Sequence, residues 1–132
     1  MRKKINTLII DDNPVIGDCI GKRILKANSL YIENPEIVPT FMEMDLTHKI
    51  KSLKLIEGFI LNNQVEILLL DRGYYRVYDP VKDEDYKNLN DKYLYSPSGD
   101  KGMKIENLLS SFSAKSLNKI KGIIIYTYDS DE

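Results

Sequence analysis

Asp11, Asp12, Asp71 and Thr127 are the residues whose types and spacing can do chemistry. The acidic pair follows the apolar run Leu8-Ile9-Ile10, Asp71 follows Leu68-Leu69-Leu70, and Thr127 follows Ile123-Ile124-Ile125-Tyr126. Carboxylates gathered at the ends of neighbouring strands make a poor anion site and a good hard-cation site. Crowding raises their pKa values unless a divalent ion offsets the charge. Magnesium suits such a set, because it takes one or two carboxylates and completes its shell with carbonyls, waters and phosphate oxygens. A carboxylate placed like Asp71 can also attack phosphorus while a metal offsets charge on the transferring group. The Thr127 hydroxyl would then hydrogen-bond a phosphoryl oxygen.

These residues need elements to position them, and the apolar patterning supplies candidates. Ile5 to Ile10 reads as a strand buried on both faces. Asn13 is a good N-cap and Pro14 suits the first helical position. Val15, Ile16, Cys19, Ile20 and Ile24 then mark one helical face, with Gly17 and Gly21 either weakening that helix or permitting close packing on a sheet. A second strand is expected over Ile37 to Met44, at a sheet edge because of Pro35 and Pro39. Asp45 is expected to cap a helix marked by Leu46, Ile50, Leu53, Ile56 and Ile60, ending at Asn62-Asn63. Val65 to Leu70 is the third strand, closed by Asp71-Arg72-Gly73.

Residues 74–102 break this rhythm. Six of the nine tyrosines fall between Tyr74 and Tyr95, beside Asp83-Glu84-Asp85, so a long connection outside the core is expected there. The helical period returns through Ile105, Leu108, Leu109, Phe112 and Leu117, with Ile120 near its end. Gly122 stops it, and Ile123 to Thr127 forms a last strand. Alternating strands and helices predict a parallel sheet covered on both faces, with ligands at the carboxyl ends of the strands.

Composition limits what such a domain can be. The 132 residues, 42% hydrophobic and 30% charged, suit a single domain spanning 1–132. Nineteen basic against twenty acidic residues give a net charge of −1, so no nucleic-acid face is expected. No apolar stretch approaches the ~18 residues that span a bilayer, and the start is too short for a signal peptide. The single cysteine suits a reducing, cytoplasmic setting. Cys19 itself is expected as a small buried hydrophobe on its helix face, and the single histidine, His48, as a surface residue.

The acidic pair, the lone aspartate and the threonine, in that order on those strands, resemble the receiver domain of two-component response regulators. The matching stretches are Ile9-Ile10-Asp11-Asp12-Asn13, Leu68-Leu69-Leu70-Asp71 and Ile124-Ile125-Tyr126-Thr127. The resemblance implies an α/β, three-layer flavodoxin-like (CheY-like) sheet of order 2-1-3-4. It also implies Mg²⁺ held by Asp11, by Asp12 more directly, by Asp71 and by the Gly73 backbone carbonyl. Asp71 would accept a phosphoryl group from a sensor histidine kinase or phosphotransfer protein, and Thr127 would bind phosphate and report its arrival. An output domain or other protein partner, or a homodimer, would receive the signal.

Several features depart from that family. Tyr75 stands where a proline is common, and Tyr128 stands where a small residue usually follows the threonine, so its ring would narrow access and slow hydrolysis. Only five residues follow Thr127, leaving no room for the family's later helices or for the strand that carries a lysine. A C-terminally truncated or a divergent receiver is therefore expected. The alternatives are a pseudo-receiver that uses the Tyr-rich stretch for protein contacts, or a small Mg²⁺-dependent phosphoryl-transfer enzyme. The last is disfavoured because no general base is visible near Asp71.

Overall fold

Eight consecutive residue pairs, from Lys4↔Glu36 to Asp11↔Glu43, join the first two strands in parallel. The first, β1 (Lys4–Asp11), is buried from Thr7 onward. In the computed structural model, residues 2–78, 93–95 and 103–127 are described. β1 lies between β2 (Glu36–Glu43) and β3 (Ile67–Asp71), and β3 pairs on its far side with the last strand, β8 (Gly122–Tyr126). All three pairings are parallel. Counting only these four strands, the order is the expected 2-1-3-4, with β2 at an edge as its prolines require. The chain is thus an α/β domain built on a four-stranded parallel sheet with helices beside it, consistent with a flavodoxin-like arrangement.

Alternation along the strands divides the apolar residues between two faces. Leu8, Ile10, Leu68 and Leu70 point into the main core with Ile56 and Ile60 of α2 (Lys49–Asn62). Ile105 and Leu108 of α3 (Ile105–Ser110) and Phe112 join them. Burying each of these large side chains is worth ~1.5–3 kcal/mol. Ile9 points to the opposite face, toward α1 (Pro14–Leu30). There Gly17 lets the Phe41 ring of β2 approach so closely that a Cβ would lie 2.2 Å from it, whereas a Cβ at Gly21 would meet Ile9 at an ordinary 3.8 Å.

Where local patterning and structure differ, the cause is visible. Cys19 is exposed, not buried, because α1 meets the sheet through Gly17, its one buried residue, rather than along the Val15–Cys19 line. Asp45 accepts from the Thr47 amide at 2.9 Å and caps a 3₁₀ turn at Leu46–His48, so α2 begins only at Lys49. That phase leaves Ile50 71% exposed. The expected helix from Ile105 to about Ile120 is two short ones, α3 and α4 (Ala114–Leu117), the second ending at Leu117. Ser113 breaks it by accepting from the Ser116 amide, an N-cap in mid-sequence. Glu57 of α2 accepts from the Ser113 amide and the Ser116 hydroxyl, fixing the break against the core.

The Tyr-rich stretch also begins differently from the expected free connection. β4 (Gly73–Tyr74) pairs antiparallel with β7 (Met103–Lys104), and β5 (Arg76–Tyr78) pairs with β6 (Tyr93–Tyr95). Tyr74 and Met103 are core residues at 0% and 1% exposure. Residues 79–92 and 96–102, with the Asp83-Glu84-Asp85 run, lie outside the described residues, as does Tyr128.

Candidate functional site

Asp11 ends β1 and Asp71 ends the adjacent β3, so parallel pairing delivers both carboxylates to one sheet edge. Asp12 is the next residue along, and oxygens of all three side chains lie within 4.8 Å of one another. Asp11 and Asp12 are buried and Asp71 is half-buried.

Each carboxylate is held differently. Asp11 accepts from the Asn13 amide at 2.8 Å through Oδ1 and from the Tyr126 hydroxyl at 2.5 Å through Oδ2. Asp12 Oδ2 accepts the backbone amides of Tyr75 and Arg76 at 2.6 and 2.8 Å. These two bonds clamp the chain after β4 onto the end of β1. Asp71 is held more loosely, with the Gly73 amide 3.5 Å from its Oδ1. Tyr74 lies beneath the cluster, its hydroxyl donating to the Ile10 carbonyl at 3.0 Å.

Burial dominates the electrostatics. It pushes Asp11 up to about 8, with Asp12 and Asp71 adding to the rise and the Tyr126 hydroxyl and Asn13 amide opposing it. Asp71 is pushed up to about 6, again first by burial and then by the Asp12 charge, while the Gly73 and Arg72 amides and the Arg72 charge pull the other way. Burial and the nearby carboxylates also raise Tyr74 and Tyr126, which stay protonated hydrogen-bond donors.

The structure brings Asp11, Asp12 and Asp71 together as the spacing predicts. Gly73 meets the cluster through its amide. Thr127 does not join it: β8 ends at Tyr126, and Thr127 is exposed one residue beyond. The β3–β8 register explains this, because Asp71 pairs with Tyr126 and puts the tyrosine, not the threonine, beside the acidic edge. Setting Leu68-Leu69-Leu70-Asp71 against Ile123-Ile124-Ile125-Tyr126 in register would have found Tyr126 from sequence. Nothing comparable marked the Tyr75 and Arg76 amides, since their role lies in the backbone.

As a donor set, three hard carboxylate oxygens in a partly desolvated pocket, two of them with raised pKa values, fit a small divalent cation. Without an ion, burial leaves Asp11 favouring its protonated form near neutral pH. Compared with known proteins, the chain matches no family model, no curated protein and no solved structure.

Proposed function

We propose that the chain is a divergent receiver-like signalling domain, in which Mg²⁺ bound by Asp11, Asp12 and Asp71 supports phosphoryl acceptance on Asp71. The convergence of these three side chains within 4.8 Å at the carboxyl edge of the sheet carries this reading. Asp71 suits the nucleophile: it is the least buried of the three and the most lightly held. With its pKa at about 6, it is mostly ionised at neutral pH, as attack requires. The donor would be a phosphohistidine of a sensor kinase or phosphotransfer protein. The P–N bond breaks, a P–O bond forms at Asp71, and the departing imidazole takes up a proton. Bound Mg²⁺ supplies charge compensation for the transferring group. The Gly73 carbonyl would complete the ion's shell. Tyr126 takes the place expected for the Thr127 hydroxyl, as a donor poised at the acidic edge. An output domain or protein partner acting in the cytoplasm belongs to the same proposal.

The test is incubation with a small phosphodonor and Mg²⁺, followed by intact mass. The expected product is a single base-labile phosphoryl adduct, absent from Asp71→Asn. No adduct on the folded protein would overturn the reading.

A second reading is a pseudo-receiver that acts only through protein contacts. It is favoured by the bonds already made to Asp11 and Asp12, which stabilise the cluster from within. It expects neither adduct nor Mg²⁺ binding.

A further inference from the structure

Leu30, Tyr31 and Ile32 follow one another where α1 ends and turns toward β2, and they are 66%, 62% and 65% exposed. Contiguous large apolar side chains left in solvent mark a surface that something else covers. This tip lies at the amino end of the sheet, where the Glu36 amide donates to the Lys3 carbonyl at 2.7 Å and Lys4 pairs with Glu36. The acidic cluster lies at the other end of β1, roughly 20–25 Å away along the strand. The backbone of the tip is already satisfied. Arg2 donates from Nη2 to the Tyr31 carbonyl at 3.2 Å and from Nε to the Asn34 carbonyl at 3.0 Å. The Asn34 amide also donates to the Tyr31 carbonyl, and the Tyr31 amide to the Ala27 carbonyl, each at 3.0 Å. Basic side chains surround the tip. Lys3 and Lys4 are exposed beside it, and Arg23 and Lys26, seven and four residues before Leu30, are exposed on its helical face. Between Cys19 and Thr40 the acidic residues are Glu33 and Glu36 alone. Glu66, at the same end of the sheet, is already paired with Lys121 at 3.0 Å.

We propose that this tip docks on an anionic lipid bilayer, with Leu30, Tyr31 and Ile32 entering the headgroup layer and Lys3, Lys4, Arg23 and Lys26 meeting lipid phosphates. Charge selects the partner's sign, because the tip is basic in a chain whose net charge is −1. Shape selects lipid over protein. Consecutive side chains on a helix end and turn point in different directions, so one groove does not receive all three, whereas a fluid bilayer does. A tyrosine among aliphatic residues, flanked by lysine and arginine, suits the boundary between headgroups and acyl chains. The Arg2 bonds serve the same end, because an unpaired carbonyl carried into that layer would oppose entry. Apolar entry and lysine attraction are each weak signals that anchor when combined. Docked in this way, the chain turns Asp11, Asp12 and Asp71 away from the anionic surface that would repel them.

The experiment is co-sedimentation of the full chain with vesicles of about 30% phosphatidylglycerol in phosphatidylcholine, against phosphatidylcholine alone. The chain is expected to bind the anionic vesicles, to bind the neutral ones far less, and to be released as salt rises from about 0.1 to about 0.5 M. Lys3→Glu and Lys26→Glu are each expected to weaken binding about fivefold or more, and Ile32→Ser about tenfold. Ile50→Ser, which alters an isoleucine exposed elsewhere, is expected to leave binding unchanged. Contact at the tip is read independently, because the chain contains no tryptophan. A Tyr31→Trp variant is expected to show blue-shifted emission with anionic vesicles and quenching by brominated lipid, and an Ile50→Trp variant neither. Equal binding to neutral vesicles would overturn the proposal, as would an emission shift at position 50 without one at 31. No binding to either vesicle, as expected if the tip meets an acidic protein instead, would overturn it too.

Discussion

The Tyr126 hydroxyl donates to Asp11 Oδ2 at 2.5 Å, linking the edge strand of the sheet to the buried carboxylate at its centre. The bond counters part of the burial that raises Asp11, so Tyr126 helps set the charge state of the whole cluster. A hydrogen bond to a charged acceptor is worth ~1.5–3 kcal/mol, and one to a neutral acceptor about half that. Tyr126→Phe is therefore expected to destabilise the fold by ~2 kcal/mol above pH 8, where Asp11 is ionised, and by less near pH 6. Urea unfolding at the two pH values checks this; equal losses would show that the hydroxyl does not sense the Asp11 charge.

Stability should fall as pH rises through the acidic and neutral range. Asp11 and Asp71 have folded pKa values of about 8 and about 6, both raised from the ordinary aspartate value of 3.8. Between 3.8 and those values the unfolded chain releases protons that the folded chain retains, so deprotonation favours unfolding. The loss is expected to begin near pH 4, weaken above about 6 as Asp71 ionises, and level off above about 8. Chemical denaturation from pH 4 to 9 in chelator reads the slope, and a flat profile would contradict the burial of these groups.

Magnesium should reverse that trend. Proton and cation compete for the same oxygens, so affinity is expected to rise from pH 6 to pH 8. The Mg²⁺-induced increase in melting temperature should be larger at pH 8, should vanish in EDTA, and should be reduced in Asp71→Asn. An unchanged melting temperature across magnesium concentrations at pH 8 would argue for the pseudo-receiver.

Gly17 and Gly21 share a helix and should respond oppositely to alanine. At Gly17 a Cβ would sit 2.2 Å from the Phe41 ring, so Gly17→Ala is expected to cost ~1–3 kcal/mol by overpacking. At Gly21 the nearest atom is 3.8 Å away, and Gly21→Ala should stabilise by ~0.5–1 kcal/mol through helix propensity. Thermal melting of the two variants gives the sign of each.

Thr7 is 5% exposed in β1, and its hydroxyl has no hydrogen-bond partner among the described residues. Thr7→Val replaces a desolvated hydroxyl with a methyl group of similar size and keeps the β-branched shape. A gain of up to ~1 kcal/mol is expected. A loss of that size in denaturant midpoint would mean that the hydroxyl does find a partner in solution.

The sequence by itself determined the scaffold and its acidic edge. Continuous apolar runs closed by aspartate, such as Leu68-Leu69-Leu70-Asp71, specify a buried parallel strand that ends in a carboxylate. Two such runs on adjacent strands must bring Asp11 and Asp71 together, because parallel strands end on the same side. What depended on phase and register was decided only by the tertiary structure. A shift of one residue turned the last strand's contribution from Thr127 to Tyr126, since neighbouring strand residues face opposite ways. The 3₁₀ turn at Leu46–His48 rotated Ile50 out of the core, and the Gly17–Phe41 contact left Cys19 in solvent. Tyr74, read as part of a long connection outside the core, became core through a two-residue ladder to Met103. Local patterning carries the period of an element. Its rotation, register and long-range partners are settled by packing against residues far away in the chain.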